Sequence, residues 1–221
     1  LTLKERQWAL REDAILDAAY EILAERGTGE TSMDDIAARA GVSKPTLYQH
    51  FASKDELLVR AGMRLMRQSE AALEARAPGT RALDHLARTL REGLVRRAGL
   101  WSARVAIPPA LADADPAYRQ QRQRVQAALA RLVDEAKAEG DVDARFPTPV
   151  VVRMLSRFFR GDYEDLLAAG TVTPDELGAT LIAIALGGLR PRGAGEGGGW
   201  NGGEDGVPAL AAPVAARVTT A

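Results

Sequence analysis

Lys44, Thr46 and Gln49 fall within six positions of one another, and each carries a side chain that a base edge accepts. Glutamine pairs bidentately with adenine, lysine donates to guanine, and a threonine methyl meets a thymine methyl. Tyr48 and His50 lie between and beside them on other helical faces. The interval between Asp35 and Asp55 contains no acid, yet it holds Arg39, Lys44 and Lys54. Such a segment, flanked by acid-rich helices, is a local positive surface, and phosphate contacts supply much of the affinity for DNA. An ordinary helical hairpin with a solvated face is the plainer alternative. For Tyr48 the plainer alternative is a half-buried brace. His50 suits packing or a phosphate better than catalysis.

The elements that must position these residues are legible around them. Apolar positions at Met33, Ile36, Ala37 and Ala40 give one buried helical face. Ser32 with Asp35 is a capping signal at its start. Gly41 closes that helix in a place where a left-handed residue is common. Val42 plugs the turn. Ser43 caps the next helix, and Pro45 falls in its first turn, where a missing N–H is harmless. Leu47 and Phe51 repeat at i, i+4 and point into a core. The whole stretch from Ser32 to Phe51 is thus a helix, a tight turn and a second helix shaped for a DNA groove.

Across the 221 residues no convincing strand pattern occurs, and the fold class expected is all-α. A first helix begins at Arg11 on Ile15, Ala18, Ala19, Ile22 and Leu23, and ends at Gly27, with residues 1–10 frayed. Ser53 and Glu56 open a long fourth helix that runs to about Arg76 and links two halves. Further helices are expected over Ala82 to Arg97, Trp101 to Ile107, Pro116 to Ala138, Thr148 to Ala169 and Pro174 to Leu189, with Pro108-Pro109 acting as a stop. Residues 193–206 hold eight glycines and read as a disordered tail. The divisions expected are 1–60 for the helix-turn-helix domain, 61–190 for a helical domain and 191–221 for the tail.

Composition narrows the classes. The chain is 46% hydrophobic, 27% charged and 5% aromatic, with net charge −1. Residues 1–60 carry 8 Lys and Arg against 11 Asp and Glu, a net −3, so DNA binding must rest on local charge placement. The absence of Cys excludes disulfides, thiolate catalysis and Cys-ligated metals. With two His and no glycine-rich phosphate loop in a strand-to-helix context, no enzyme and no cofactor are expected. The longest apolar run, Leu181 to Leu189, is too short to span a bilayer, and a cytoplasmic protein is expected. A helical adaptor that binds only protein explains the apolar C-terminal helices but not the charge gap around Tyr48.

The run from Ile15 to Leu57 resembles the N-terminal domain of TetR-family transcriptional regulators. The resemblance rests on Ala18-Ala19, Gly27, the segment Ile36-Ala37-Ala38-Arg39-Ala40-Gly41-Val42-Ser43, Thr46-Leu47-Tyr48, Phe51, Ser53-Lys54 and Leu57. It covers about a fifth of the chain. Two departures stand out: Thr28 replaces a frequent aromatic, and Pro45 replaces a frequent Gly or Ala. The resemblance implies that Tyr48 and Lys54 contact phosphates, with Thr31, Ser32 and Lys44 as helpers. It implies that Thr46, Gln49 and Lys44 approach base edges. His50, as a packing or phosphate-facing residue, joins the DNA-binding candidates. It also implies a homodimer on a palindromic operator of double-stranded DNA and a small-molecule effector that releases the DNA. The final two helices, with Gly178, Ala179, Ala183, Ala185 and Gly187, are the expected dimer surface. The effector candidates are His85, Trp101, Arg104, Tyr118, Met154, Arg157 and Phe158.

Overall fold

Thr2 and Glu5 start the chain's first helix by capping each other. The Thr2 amide donates to Glu5 Oε2 at 2.7 Å, and the Glu5 amide donates to Thr2 Oγ1 at 3.2 Å. Helix α1 therefore begins at Leu3, and residues 3–10 are helical where the sequence reads as frayed. The computed structural model describes residues 2–102, 107–158 and 163–191, and among these every regular element is helical. α1 is assigned over Leu3–Glu30, but Gly27 sits at φ 78° and breaks it. A positive φ there is the conformation glycine supplies without a Cβ clash.

Two seven-residue helices follow, α2 over Met33–Arg39 and α3 over Lys44–His50. Helices this short are unstable alone in water. Caps and burial hold them. Ser32 and Asp35 form a reciprocal capping box, and Ser43 Oγ accepts the Thr46 amide at 3.3 Å. Between them Gly41 lies at φ 64°, and the Val42 amide returns to the Ala37 carbonyl at 3.0 Å. Leu47 and Phe51 are fully buried among Ile15, Ala19, Ile22, Leu23, Ile36 and Leu57. Removing a buried leucine side chain costs about 2–5 kcal/mol, so this anchoring outweighs any helix propensity of α3.

α4, Lys54–Glu74, leaves this core and enters a second one. The second core gathers Leu73 of α4, Leu83, Leu86 and Leu90 of α5 (Ala82–Ser102), Leu129, Leu132 and Val133 of α7 (Pro116–Ala138), Val151 and Leu155 of α8 (Thr148–Phe158), and Ala185 and Leu186 of α10 (Pro174–Gly187). Three boundaries differ from expectation. α5 runs through Gly99 to Ser102, so Trp101 belongs to it rather than opening a new helix. Pro108-Pro109 opens a helix, α6 over Pro109–Ala114, because proline is harmless in a first turn. Tyr163 has φ −123° and ψ 12°, so α9, Glu164–Ala168, is separate from α8. The expected glycine-rich tail lies outside the described residues.

α4 is fastened to both cores. Arg64 on α4 pairs with Asp17 of α1 at 2.8 Å, and Tyr20 of α1 donates to the Ala61 carbonyl. Just past its far end Arg76 bridges Glu135 of α7 at 2.7 Å and Glu139, the residue that caps α7, at 2.9 Å. Gly62 is the tight point. A Cβ there would collide with Ile107 Cδ1 and lie 3.1 Å from Tyr118 Cε2. Helix propensity alone favours Gly62→Ala by about 1 kcal/mol. Overpacking opposes it by about 1–3 kcal/mol. Gly62→Ala is therefore expected to lower stability in chemical denaturation, and Ile107→Ala in the same chain should restore part of the loss.

Candidate nucleic-acid interface

The outer surface of α3 carries Lys44, Pro45, Tyr48 and Gln49, all exposed, with Tyr48 at 43%. Because Leu47 and Phe51 pin the opposite face, these side chains stand on a fixed base rather than a loop. Thr46 is half-buried, and its hydroxyl lies 2.8 Å from Ser43 Oγ. Its hydroxyl is thus shared with the cap, while Gln49 has no such commitment.

The charges are arranged differently from the sequence expectation. The interval 36–54 has no acid of its own, but acids reach it from α1 and α2. Lys44 Nζ lies 2.8 Å from Asp34 Oδ1. Arg39 is bidentate on Glu25 at 2.8 and 2.5 Å, and 3.6 Å from Glu21. The hydrogen bonds from Arg39 hold the Glu25 carboxyl below its ordinary range, and the bond to Asp34 raises the Lys44 ammonium above its own. All of these groups are exposed, so each pair contributes little to stability. A phosphate arriving at Lys44 exchanges with Asp34 rather than meeting a bare charge.

Three candidates have partners inside the fold. Thr31 is buried at 2% exposure, and its hydroxyl donates to the Gly27 carbonyl at 2.8 Å, holding the turn beyond the break in α1. It presents no surface to a phosphate. His50 is buried at 7% exposure and stacks on Trp8 with ring centroids 3.8 Å apart. Lys54 is half-buried and donates to the Thr28 carbonyl, tying the start of α4 to the same turn. Ser32 stays exposed as the α2 cap. Trp8 is not among the sequence candidates, because residues 1–10 read as frayed. The available signal was Thr2-x-x-Glu5, together with the seven-residue spacing of Trp8, Ile15 and Ile22.

Among the described residues the effector candidates fall in three places. His85 is buried at the α4–α5 contact, with Nε2 3.0 Å from the Leu73 carbonyl. Tyr118 on α7 packs against Gly62 of α4. Met154 and Arg157 share an open groove of about 650 Å³ on the outer side of α8 with Val150, Arg153 and Tyr163. The side chains of Trp101 and Phe158, and all of Arg104, lie outside the described residues. A second open groove, of about 670 Å³, lies between α5 and α10 and is lined by Arg88, Arg91, Val95 and Ile182. Among the described residues no three metal-ligating side chains cluster, and no helix is long and apolar enough to cross a membrane.

A three-helix domain with a capped helix-turn-helix, mounted through a shared helix on a helical bundle, is the architecture of TetR-type regulators. The pattern described as "Bacterial regulatory proteins, tetR family" matches residues 15–61. The chain is 57% identical over 47 residues to the transcriptional activator FasR of Mycolicibacterium smegmatis, covering 21% of this chain and 22% of FasR. It is 40% identical over 67 residues to the transcriptional regulator EthR of Mycobacterium tuberculosis, covering 30% and 31%. The chain thus matches less than a third of the length of these relatives. Beyond that stretch the likeness is one of fold. The fatty acid degradation regulator FadR from Bacillus halodurans superposes with TM-score 0.67 at 21% identity, over 82% of this chain and 97% of that one. FadR from Bacillus subtilis, solved in complex with stearoyl-CoA, gives 0.62 at 18%, over 80% and 98%. Residues 15–61 of this chain thus carry the DNA-binding pattern of TetR-family transcriptional regulators, and the remainder shares their fold.

His50 supplies a pH test of the framework. Burial holds its imidazole below the ordinary value of 6.5, and Nδ1 is buried without a hydrogen-bond partner. The unfolded chain takes up a proton at His50 that the folded chain resists, so this contribution to stability is full above pH 6.5. It falls as the pH drops through 6.5 towards the lower folded value. His50→Gln should therefore lose less stability than the parent chain between pH 7.5 and pH 5, measured by urea denaturation. An identical pH dependence in both chains would show that His50 does not titrate on unfolding.

Proposed function

We propose that this protein is a sequence-specific DNA-binding regulator of transcription, a ligand-released repressor that holds a palindromic operator as a homodimer. The observation that carries this reading is the mounting of Lys44, Tyr48 and Gln49 on α3, outward from a helix whose inner face is fully buried. In this reading α3 lies in the major groove, Gln49 meets an adenine edge, and Lys44 and Thr46 flank it. Tyr48 and Ser32 approach phosphates. Lys54 acts from behind by fixing the turn at Thr28. Residues 1–60 read DNA, residues 61–190 take the effector and form the dimer, and the protein works in the cytoplasm.

The dimer surface is assigned to α8 and α10. Val150 is 62% exposed on α8, and Ile184 is 60% exposed on α10 beside exposed Ala179, Ala183 and Gly187. A helix apolar around its circumference needs cover on both sides. Gly178, Leu181 and Ala185 already face the chain's own core, which leaves the Ile184 side for a second copy. Two-fold symmetry matches a palindrome, with half-sites about one helical turn or a multiple apart.

The effector enters the helical domain, a role supported by the stearoyl-CoA held by the similarly folded regulator. Its coupling to DNA runs through α4. Ile107 packs on the DNA-reading core, and Ile107 and Tyr118 both press on Gly62. An effector that prefers an arrangement with α4 displaced lowers DNA affinity by its differential binding.

Two measurements test the reading. Gln49→Ala should weaken binding to the preferred duplex by about 1–3 kcal/mol and relax the preference at one base pair, whereas Tyr48→Ala should weaken binding to all duplexes alike. Equal affinities for parent and variants would remove α3 from the interface. Ile184→Glu should convert a dimer to a monomer in sedimentation and lose the gain that two linked half-site contacts provide, about 100-fold or more. A variant that stays dimeric with parental affinity would place the interface elsewhere.

A further inference from the structure

The cations of the first sixty residues divide into two groups. Arg26, Arg39, Lys44 and Arg60 are each within ion-pairing distance of a carboxylate, at 3.5, 2.5, 2.8 and 3.9 Å, and Lys54 is held by the Thr28 carbonyl. Lys4, Arg6 and Arg11, all exposed on the first turns of α1, make no ion pair among the described residues. The uncompensated positive charge of this domain therefore sits on α1 and not on the helix-turn-helix itself.

Two of these three lie beside α3. Trp8 stacks on His50, the last residue of α3, and so fixes the start of α1 against the end of that helix. At about 100° per residue, Lys4 and Arg11 fall within roughly 60° of Trp8 around the α1 axis, while Arg6 lies nearly opposite. The flank is also defined. Glu21 and Glu25 on the Lys4–Arg11 side reach Arg39 of α2, whereas Glu12 on the other side meets Arg60 of α4. Lys4 and Arg11 thus continue the surface of α2 and α3, away from α4.

We infer that the first turns of α1 are a second part of the DNA interface, with Lys4 and Arg11 binding the phosphates that border the groove occupied by α3. The inference rests on the reading of α3 given above and assigns the salt-sensitive share of affinity to residues outside the helix-turn-helix. The division of labour follows from the charges: α3 carries uncharged readers and one paired lysine, whereas α1 carries free cations whose approach to phosphate breaks no ion pair. The Trp8–His50 stack is what delivers them, because it holds the first turns of α1 against the end of α3.

The test uses the full chain and the duplex that it enriches from a random-sequence pool. Lys4→Gln with Arg11→Gln is compared with Arg6→Gln, a matched loss of charge on the opposite face, and with Tyr48→Ala. Loss of two phosphate contacts should weaken binding about tenfold or more near physiological salt and flatten the salt dependence by about two in log–log slope per protomer. Arg6→Gln should stay within about twofold of the parent, and all three chains should share one melting temperature, since the substituted residues are exposed. The inference is overturned if the Lys4–Arg11 variant keeps the parental slope while Tyr48→Ala loses affinity, and equally if Arg6→Gln flattens the slope as much. If the parent chain enriches no duplex, the reading of α3 falls and this inference falls with it.

Discussion

The burial of Leu47 and Phe51 is the constraint on which the DNA-reading half depends. α3 has seven residues and three side chains turned outward for recognition, so it cannot hold itself together. The two inward residues tie it to α1, α2 and the start of α4 with no exposed area of their own. The capping by Ser43 and the left-handed turn at Gly41 then fix its direction. A reading surface needs this rigidity, because hydrogen bonds to base edges tolerate little displacement.

A second dependence runs along α4. Its N-terminal half belongs to one core and its C-terminal half to another, with Arg64, Tyr20 and Arg76 fastening it on the way. Gly62 lies between these fastenings and admits Ile107 and Tyr118 to near contact with the helix backbone. A change in the helical domain that moves Ile107 reaches the first core directly. The coupling so described is a packed contact with named partners rather than a distant correlation.

The electrostatics give the molecule a guarded surface. With a net −3 over residues 1–60, free cations on the helix-turn-helix would be exceptional, and the structure pairs them with Asp34, Glu21 and Glu25. Pairing lowers indiscriminate attraction to polyanions. The cations left over lie on the opening turns of α1, next to the end of α3.

The sequence by itself determined the all-α class, the caps at Ser32, Ser43 and Ser53, the turn at Gly41 and the inward face at Leu47 and Phe51. Each of these depends on residues within four positions of one another, so its physics is local. The Thr2–Glu5 capping pair is a signal of the same local kind. Tertiary structure decided what no spacing encodes: that Asp34 and Glu25 neutralise Lys44 and Arg39, that Trp8 covers His50, that Thr31 turns inward, and that Gly62 faces Ile107. It also set His85 against the Leu73 carbonyl, Tyr118 against Gly62 and Met154 in a groove on α8. These outcomes pair residues far apart in the chain, and only the packing of whole helices against one another brings such pairs together or holds them apart.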